Sequence, residues 1–180
     1  MILALDLSPT STGVCFAPAD RLPQPFLKAF RNEGEPTEIA AQNAARWLRN
    51  VVESTDGNLL VAVEQYINQG ALKHMGKKMG FTPGRDRDAQ LALHYAILGV
   101  CACYDRVRFE SVVVGTVRKH FCGQASAGSR AETKKMVLRR AIELGYLGRD
   151  VKNDNLADAA ALFHYSVSKF AQAEPGFRMR

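Results

Sequence analysis

Three acidic side chains stand where the surrounding sequence is apolar. Asp6 lies in the first apolar run, Glu64 directly follows the run Leu59–Val63, and Asp158 lies in a helical segment of small and apolar residues. A lone carboxylate in such surroundings is costly unless it is paired, hydrogen-bonded or bound to a metal. The three acids are therefore candidates for one shared site.

The chemistry of such a site follows from the repulsion between its members. Carboxylates that converge either bind protons or recruit a hard cation, and magnesium suits them because it prefers oxygen ligands and keeps waters for a phosphate. Two such ions could clamp an in-line displacement at phosphorus, one activating water and the other stabilising the leaving oxygen. Each acid also has a structural alternative: Asp6 as a cap of the turn 8–12, Glu64 as a solvated strand end, and Asp158 as the partner of a lysine.

The strands that would position these acids are predicted from apolar runs and turn residues. The five runs are Met1–Leu7, Val14–Phe16, Phe26–Phe30, Leu59–Val63 and Phe109–Val114. Prolines before the third run favour an edge strand there. Because single strands later alternate with helices, we predict an α/β domain whose mixed sheet is covered by helices on both faces.

Helical periodicity accounts for the rest of the ordered chain. The first predicted helix starts at about Pro36 and ends before Asp56, and the later ones cover Ala89–Tyr104, Ala131–Leu144 and Asp154–Phe170. Gly115–Phe121 is predicted as a short helix or a turn. The segment Ala89–Tyr104 is apolar nearly all round, which predicts a buried helix.

Length and composition limit the class of protein. A chain of 180 residues fits one compact domain, which we place at residues 1–172, with a loose tail at 173–180. The 47% hydrophobic content excludes disorder of the whole chain, and the net charge of +6 favours polyanionic partners. The four cysteines lack C-x-x-C spacing, and neither a signal peptide nor an apolar stretch of membrane length is visible. We therefore expect a soluble, cytoplasmic protein with no membrane partner.

The acidic stretches resemble one known family in their order and spacing. Ile2–Gly13, Val61–Gln65 and Asn153–Leu162 are similar to the opening strand, the second acidic motif and the C-terminal acidic helix of RuvC-type Holliday junction resolvases, particularly the phage-type branch. The resemblance covers nearly the whole chain. It implies an RNase H-like fold with a five-stranded sheet, a divalent metal, a homodimer, and symmetric nicking of two strands at a four-way DNA junction.

The resemblance also implies roles for single residues. Asp6, Glu64 and Asp158 would be catalytic metal ligands for Mg²⁺, with Mn²⁺ as a substitute, two ions in the site and no small-molecule cofactor. The fourth ligand stays open between Asp154 and Asn155, since offsets of four and three both share a helix face with Asp158. We favour Asp154, with Asn155 a polar contact to metal or water, although Asp154 could instead cap the helix.

Two basic stretches are candidates for DNA contacts. The first resembles the family's lysine-bearing region, where Lys119 and one of two later lysines would approach the scissile phosphate. A solvated helix face explains the later lysines, Lys134 and Lys135, equally well. The candidates in this first stretch are Arg118, Lys119, Lys134 and Lys135. The second could follow the backbone and insert an aromatic wedge. Its candidates are Lys73, Lys77, Lys78 and Phe81.

Three other functions remain as alternatives. The same fold could cut flaps and other branched DNA with less selectivity, or bind junctions without cutting because the metal site has decayed at Asn155. A sugar-kinase or actin-like ATPase also begins with a strand that ends in Asp. Such proteins follow it with a glycine-rich turn, whereas Leu7, Ser8 and Pro9 follow here, and the chain is short for two lobes.

Overall fold

The computed structural model describes residues 1–65 and 85–170, and of residues 85–87 only the backbone. Its strands are β1 (Ile2–Asp6), β2 (Thr12–Ala17), β3 (Phe26–Lys28), β4 (Leu59–Glu64) and β5 (Val107–Val112). Its helices are α1 (Thr37–Glu53), α2 (Arg85–Cys101), α3 (Val114–Cys122), α4 (Arg130–Glu143) and α5 (Asp154–Lys169). The predicted tail at 173–180 lies outside the described residues.

The strands form one mixed sheet in the order β3-β2-β1-β4-β5. β1 pairs with β2, and β2 with β3, in antiparallel fashion, whereas β1 pairs with β4, and β4 with β5, in parallel. Leu5 is opposite Val63 in the parallel pair, so the two strands end side by side. The predicted five-stranded mixed sheet is confirmed.

Alternating side chains of the central strands divide the core into two layers, as the pleat requires. On one face of the sheet, Ile2 and Ala4 pack with buried residues of α3, α4 and α5. On the other face, Leu3 and Leu5 pack with buried residues of α1 and α2. Helices therefore cover both faces, as predicted, and the central strands are apolar throughout because both of their faces are buried.

The helix predictions hold except for details of α1 and α2. Pro36 is the N-cap residue of α1, one position before the first helical residue, and does not lie in the first turn. The expectation of a helix buried all round at Ala89–Tyr104 was wrong, because one face of α2 packs on the core and Tyr95 is 61% exposed on the other. An apolar composition does not distinguish a fully buried helix from one that leaves an apolar face exposed to solvent.

No helix within the described residues is both long and apolar enough to span a membrane.

Candidate active site

The three predicted acids come together in one pocket at the edge of the sheet. Asp6 is the last residue of β1, Glu64 is the last residue of β4, and Asp158 lies in the second turn of α5. All three line the pocket, and the remaining lining residues are Val114, Val117, Arg118 and Leu162. Asp6 and Glu64 are 58 positions apart in the chain and Glu64 and Asp158 are 94 apart, and they meet because two parallel strands end beneath one helix.

The β1–β2 turn is closed without help from Asp6. The Thr12 hydroxyl donates to the Ser8 carbonyl at 2.6 Å and accepts from the Ser8 N–H at 3.1 Å. The structural alternative for Asp6, a cap of this turn, is therefore filled by Thr12. Asp6 is left to face the pocket.

Burial raises the pKa of every acid in the pocket, and neighbouring carboxylates add to each shift. Burial is the largest cause for Asp6, whose pKa lies well above its usual value, and the negative charges of Asp158 and Glu64 add to the shift. Burial and the charge of Asp158 raise the pKa of Glu64 to about 7. Burial also raises the pKa of Asp158, although Arg118 opposes the shift. A cation in the pocket would relieve this repulsion.

One guanidinium already provides part of the positive charge. Arg118 Nη2 lies 3.2 Å from Asp158 Oδ1 and 3.4 Å from Oδ2, and the two side chains are only 21% and 15% exposed. The Nε of Arg118 is buried with no hydrogen-bond partner in the structure. The sequence left open that Asp158 serves only as the ion-pair partner of a lysine. In the structure its partner is an arginine, Arg118.

The donor set suits magnesium, but its members are not yet gathered around a single point. Across residues 1–65 and 88–170, no three acidic, histidine or cysteine side chains are close enough together to hold a metal ion as they stand. The carboxylates of Asp6, Glu64 and Asp158 are largely buried and have raised pKa values, so their negative charge is unfavourable with only one arginine in the pocket. The residues therefore fit a hard cation chemically, and closing around it requires Asp158 to share or leave Arg118.

The two candidates for a fourth ligand are both engaged elsewhere. Asp154 Oδ2 lies 2.5 Å from Lys134 Nζ, with both side chains about one-third exposed. Asn155 Nδ2 donates to the Ser11 carbonyl at 2.5 Å. The helix N-cap is Asn153, whose side chain accepts from the Leu156 N–H at 3.2 Å. Asp154 is thus the first helical residue and not the cap, and neither candidate is among the pocket-lining residues.

The predicted basic residues occupy different positions relative to the acids. Arg118 lies in the pocket, whereas its neighbour Lys119 is exposed on α3. On α4, Lys134 is half-buried against Asp154 and Lys135 is exposed. Four candidates lie outside the described residues, namely Lys73, Lys77, Lys78 and Phe81.

Sequence reasoning did not anticipate the apolar walls of the pocket or the role of Arg118 beside Asp158. Val114, Val117 and Leu162 give the pocket a low-polarity wall, which strengthens every electrostatic interaction inside it. A signal was available, because Arg118 is four residues after Val114 and three before Phe121, and these offsets share one face of a helix. The pairing itself depends on how α3 and α5 pack, which no local pattern encodes.

Two solved structures have the same fold as the chain. A Thermus thermophilus RuvC structure matches with a TM-score of 0.59 at 16% sequence identity, covering 96% of this chain and 95% of that one. A T. thermophilus RuvC in complex with a Holliday junction substrate matches with a TM-score of 0.58 at 16% identity, covering 96% and 94%. No protein-family model and no curated protein matches the chain. The RNase H-like fold expected from the sequence is confirmed.

Proposed function

We propose that this chain is a divalent-metal-dependent endodeoxyribonuclease that resolves four-way DNA junctions. The observation that carries the proposal is the meeting of Asp6, Glu64 and Asp158 in one pocket at the shared end of two parallel strands. The fold of a structural neighbour that was solved with a Holliday junction substrate supports branched DNA as the substrate class. We place its action in the cytoplasm of a bacterial cell or of a phage-infected host.

Asp6, Glu64 and Asp158 are the residues that would hold Mg²⁺, or Mn²⁺ in its place, in a site for two ions. When bound, magnesium supplies Lewis acidity at a phosphate oxygen and lowers the pKa of a coordinated water. Without a cation, the negatively charged carboxylates would repel the negatively charged phosphodiester of the substrate. The metal is therefore needed for the DNA backbone to approach them. Asp154 is the candidate fourth ligand, and it must first leave Lys134.

The cations beside the acids would contact the DNA backbone. When Asp158 turns to a metal, the guanidinium of Arg118 becomes available to a phosphate in the pocket, and its planar fork suits two phosphate oxygens. Lys134 is released in the same way if Asp154 becomes a ligand. Lys119 and Lys135 are exposed on the same two helices and extend the basic surface, with Lys119 as a further catalytic candidate near the scissile phosphate.

The proposal predicts a strong preference among DNA substrates. With Mg²⁺ or Mn²⁺, we expect paired symmetric nicks in a synthetic four-way junction, at a rate at least about tenfold above that for a linear duplex of the same sequence. Denaturing gels of four-way, three-way, flap and linear substrates measure it. Equal cutting of all the branched substrates would favour the broader nuclease. Tight junction binding with no cutting in either metal would favour the non-catalytic alternative, which the Arg118–Asp158 pair makes worth testing.

Symmetric nicking needs two active sites, so we infer that the protein acts as a homodimer through the outer face of α2. Tyr95 is 61% exposed there, and Leu91 and Leu98 are half-buried on the same face at helical spacing. An exposed aromatic ring flanked on one helix face by partly exposed leucines is typical of an interaction surface. The opposite face of α2 packs on the core through Leu93, Ile97 and Cys101, which leaves the outer face free of contacts with the core.

Tyr95→Glu should therefore weaken the dimer. Placing a charge at a central contact is expected to raise the dimer dissociation constant about 30-fold or more, the effect of losing about 2 kcal/mol. Sedimentation equilibrium measures it. Leu22→Glu is the matched control, since Leu22 has the same 61% exposure and lies outside α2. If both variants dimerise like the wild type, the α2 interface is wrong.

A further inference from the structure

The first turn of α5 is attached to the β1–β2 turn through Asn155. Its amide Nδ2 donates to the Ser11 carbonyl at 2.5 Å, although the two residues are 144 positions apart. A carbonyl oxygen can only accept, so the bond requires the amide nitrogen and fixes which way the side-chain amide faces. The donating group of Asn155 is therefore committed to the backbone of the turn, and Asn155 is not among the residues that line the pocket of the acids.

A second observation at the same place shows that helix and strand touch. A Cβ on Gly13 would lie 2.0 Å from the Asn155 carbonyl oxygen, 2.5 Å from its carbon and 3.2 Å from the Ala159 Cβ. Only a glycine lets the backbone of α5 come this close to the start of β2. Gly13 is also the residue opposite Asp6 in the β1–β2 ladder. The contact thus lies one strand away from a pocket carboxylate.

Asp158 is three residues beyond Asn155, on the same side of α5. The depth and rotation at which the first turn of α5 sits on β2 therefore fix where the Asp158 carboxylate stands relative to Asp6. The Asn155–Ser11 bond and the Gly13 contact are the two contacts nearest Asp158 that tie the first turn of α5 to the β1–β2 hairpin.

We propose that Asn155 is a positioning residue that sets the spacing of Asp6 and Asp158 through its hydrogen bond to Ser11, and that it is not a metal ligand. The proposal rests on the proposed function, because it concerns the cation those acids would hold. It replaces the expectation that Asn155 contacts the metal or its water. It also means that an asparagine at this position is compatible with an intact site.

The two roles predict opposite results for Asn155→Asp. A carboxylate is a stronger ligand for Mn²⁺ than an amide oxygen, so a ligand at this position would bind Mn²⁺ as well or better after the change. A positioning residue loses its only donor and places a negative charge against the Ser11 carbonyl. We expect Mn²⁺ binding to weaken about 10-fold, the usual effect of removing a group that orients a ligand.

The measurement is Mn²⁺ titration calorimetry on the DNA-free protein at a temperature where thermal melts show every variant folded. Asn153→Asp is the matched control: it adds the same charge two residues earlier and keeps an acceptor for the Leu156 N–H, so its Mn²⁺ affinity should stay at or above that of the wild type. Asn155→Ala removes the donor without adding charge, and it should weaken Mn²⁺ binding to a similar degree even if the aspartate variant fails to fold. Junction binding without metal should be unchanged in Asn155→Ala, which separates a misplaced carboxylate from general damage.

Each outcome decides the matter. Unchanged or tighter Mn²⁺ binding by Asn155→Asp or Asn155→Ala overturns the positioning role and leaves the proposed function standing. A wild-type protein that binds no Mn²⁺ overturns the proposed function, and the positioning role with it. Weaker binding by both Asn155 variants, with Asn153→Asp unaffected, supports the proposal.

Discussion

Asp6→Asn is expected to abolish junction cleavage while making the metal-free protein more stable. The pKa of Asp6 is raised chiefly by burial and then by Asp158 and Glu64, so its charge is unfavourable until a cation arrives. An amide of the same size removes that repulsion and should raise the free energy of unfolding at pH 7 by about 1 kcal/mol or more. It also removes a metal ligand, which should lower the cleavage rate roughly 10³-fold or further.

The opposite signs of these two effects make the experiment informative. Single-turnover cleavage of a four-way junction measures the first effect, and urea unfolding without metal measures the second. Asp56→Asn is the control, because Asp56 is exposed and lies before β4, at the end opposite Glu64. Junction binding in the absence of metal should survive in both variants. Efficient cutting by Asp6→Asn would remove the proposed mechanism, and a loss of stability would contradict the electrostatic account of the pocket.

Gly13→Ala is expected to damage the site more than an added methyl group at any other glycine within the described residues. Its new Cβ would lie 2.0 Å from the Asn155 oxygen, whereas real Cβ atoms essentially never come within 3.0 Å of such a neighbour. The first turn of α5 must therefore move by about 1 Å, and Asp158 moves with it. We expect about a 100-fold loss of cleavage, as is common for misplacement on this scale, and a loss of about 1–3 kcal/mol of stability from overpacking.

The control for this variant is another glycine that changes to alanine without a clash. Gly115 lies in the first turn of α3, and its nearest neighbour would be the Ala125 Cβ at an ordinary 3.8 Å. Because alanine favours helix over glycine, Gly115→Ala should be neutral or slightly stabilising. Cleavage assays and thermal melts compare the two. A Gly13→Ala protein with wild-type activity and stability would show that α5 does not depend on this close approach.

Apolar periodicity in the sequence was enough to predict the α/β class, the strands, the helices and the covering of both faces of the sheet. Those properties depend on which side chains avoid water, and that preference repeats along each segment with the period of its own secondary structure. Asp6, Glu64 and Asp158 stood out for the same reason, as charges that interrupt otherwise apolar runs. Their order along the chain carried the resemblance that gave the RNase H-like fold.

Other properties were decided only when distant segments came into contact. The pairing of Arg118 with Asp158, of Lys134 with Asp154 and of Asn155 with Ser11 joins residues 40, 20 and 144 positions apart. Such pairs depend on the depth and rotation at which one helix packs on another element. A small change in the depth or the rotation would bring each side chain next to a different partner. The exposure of Tyr95 on α2 has the same origin, because an apolar helix does not specify which of its faces the core will use. Local patterns therefore determined which residues could do chemistry, and tertiary packing determined what each of them touches.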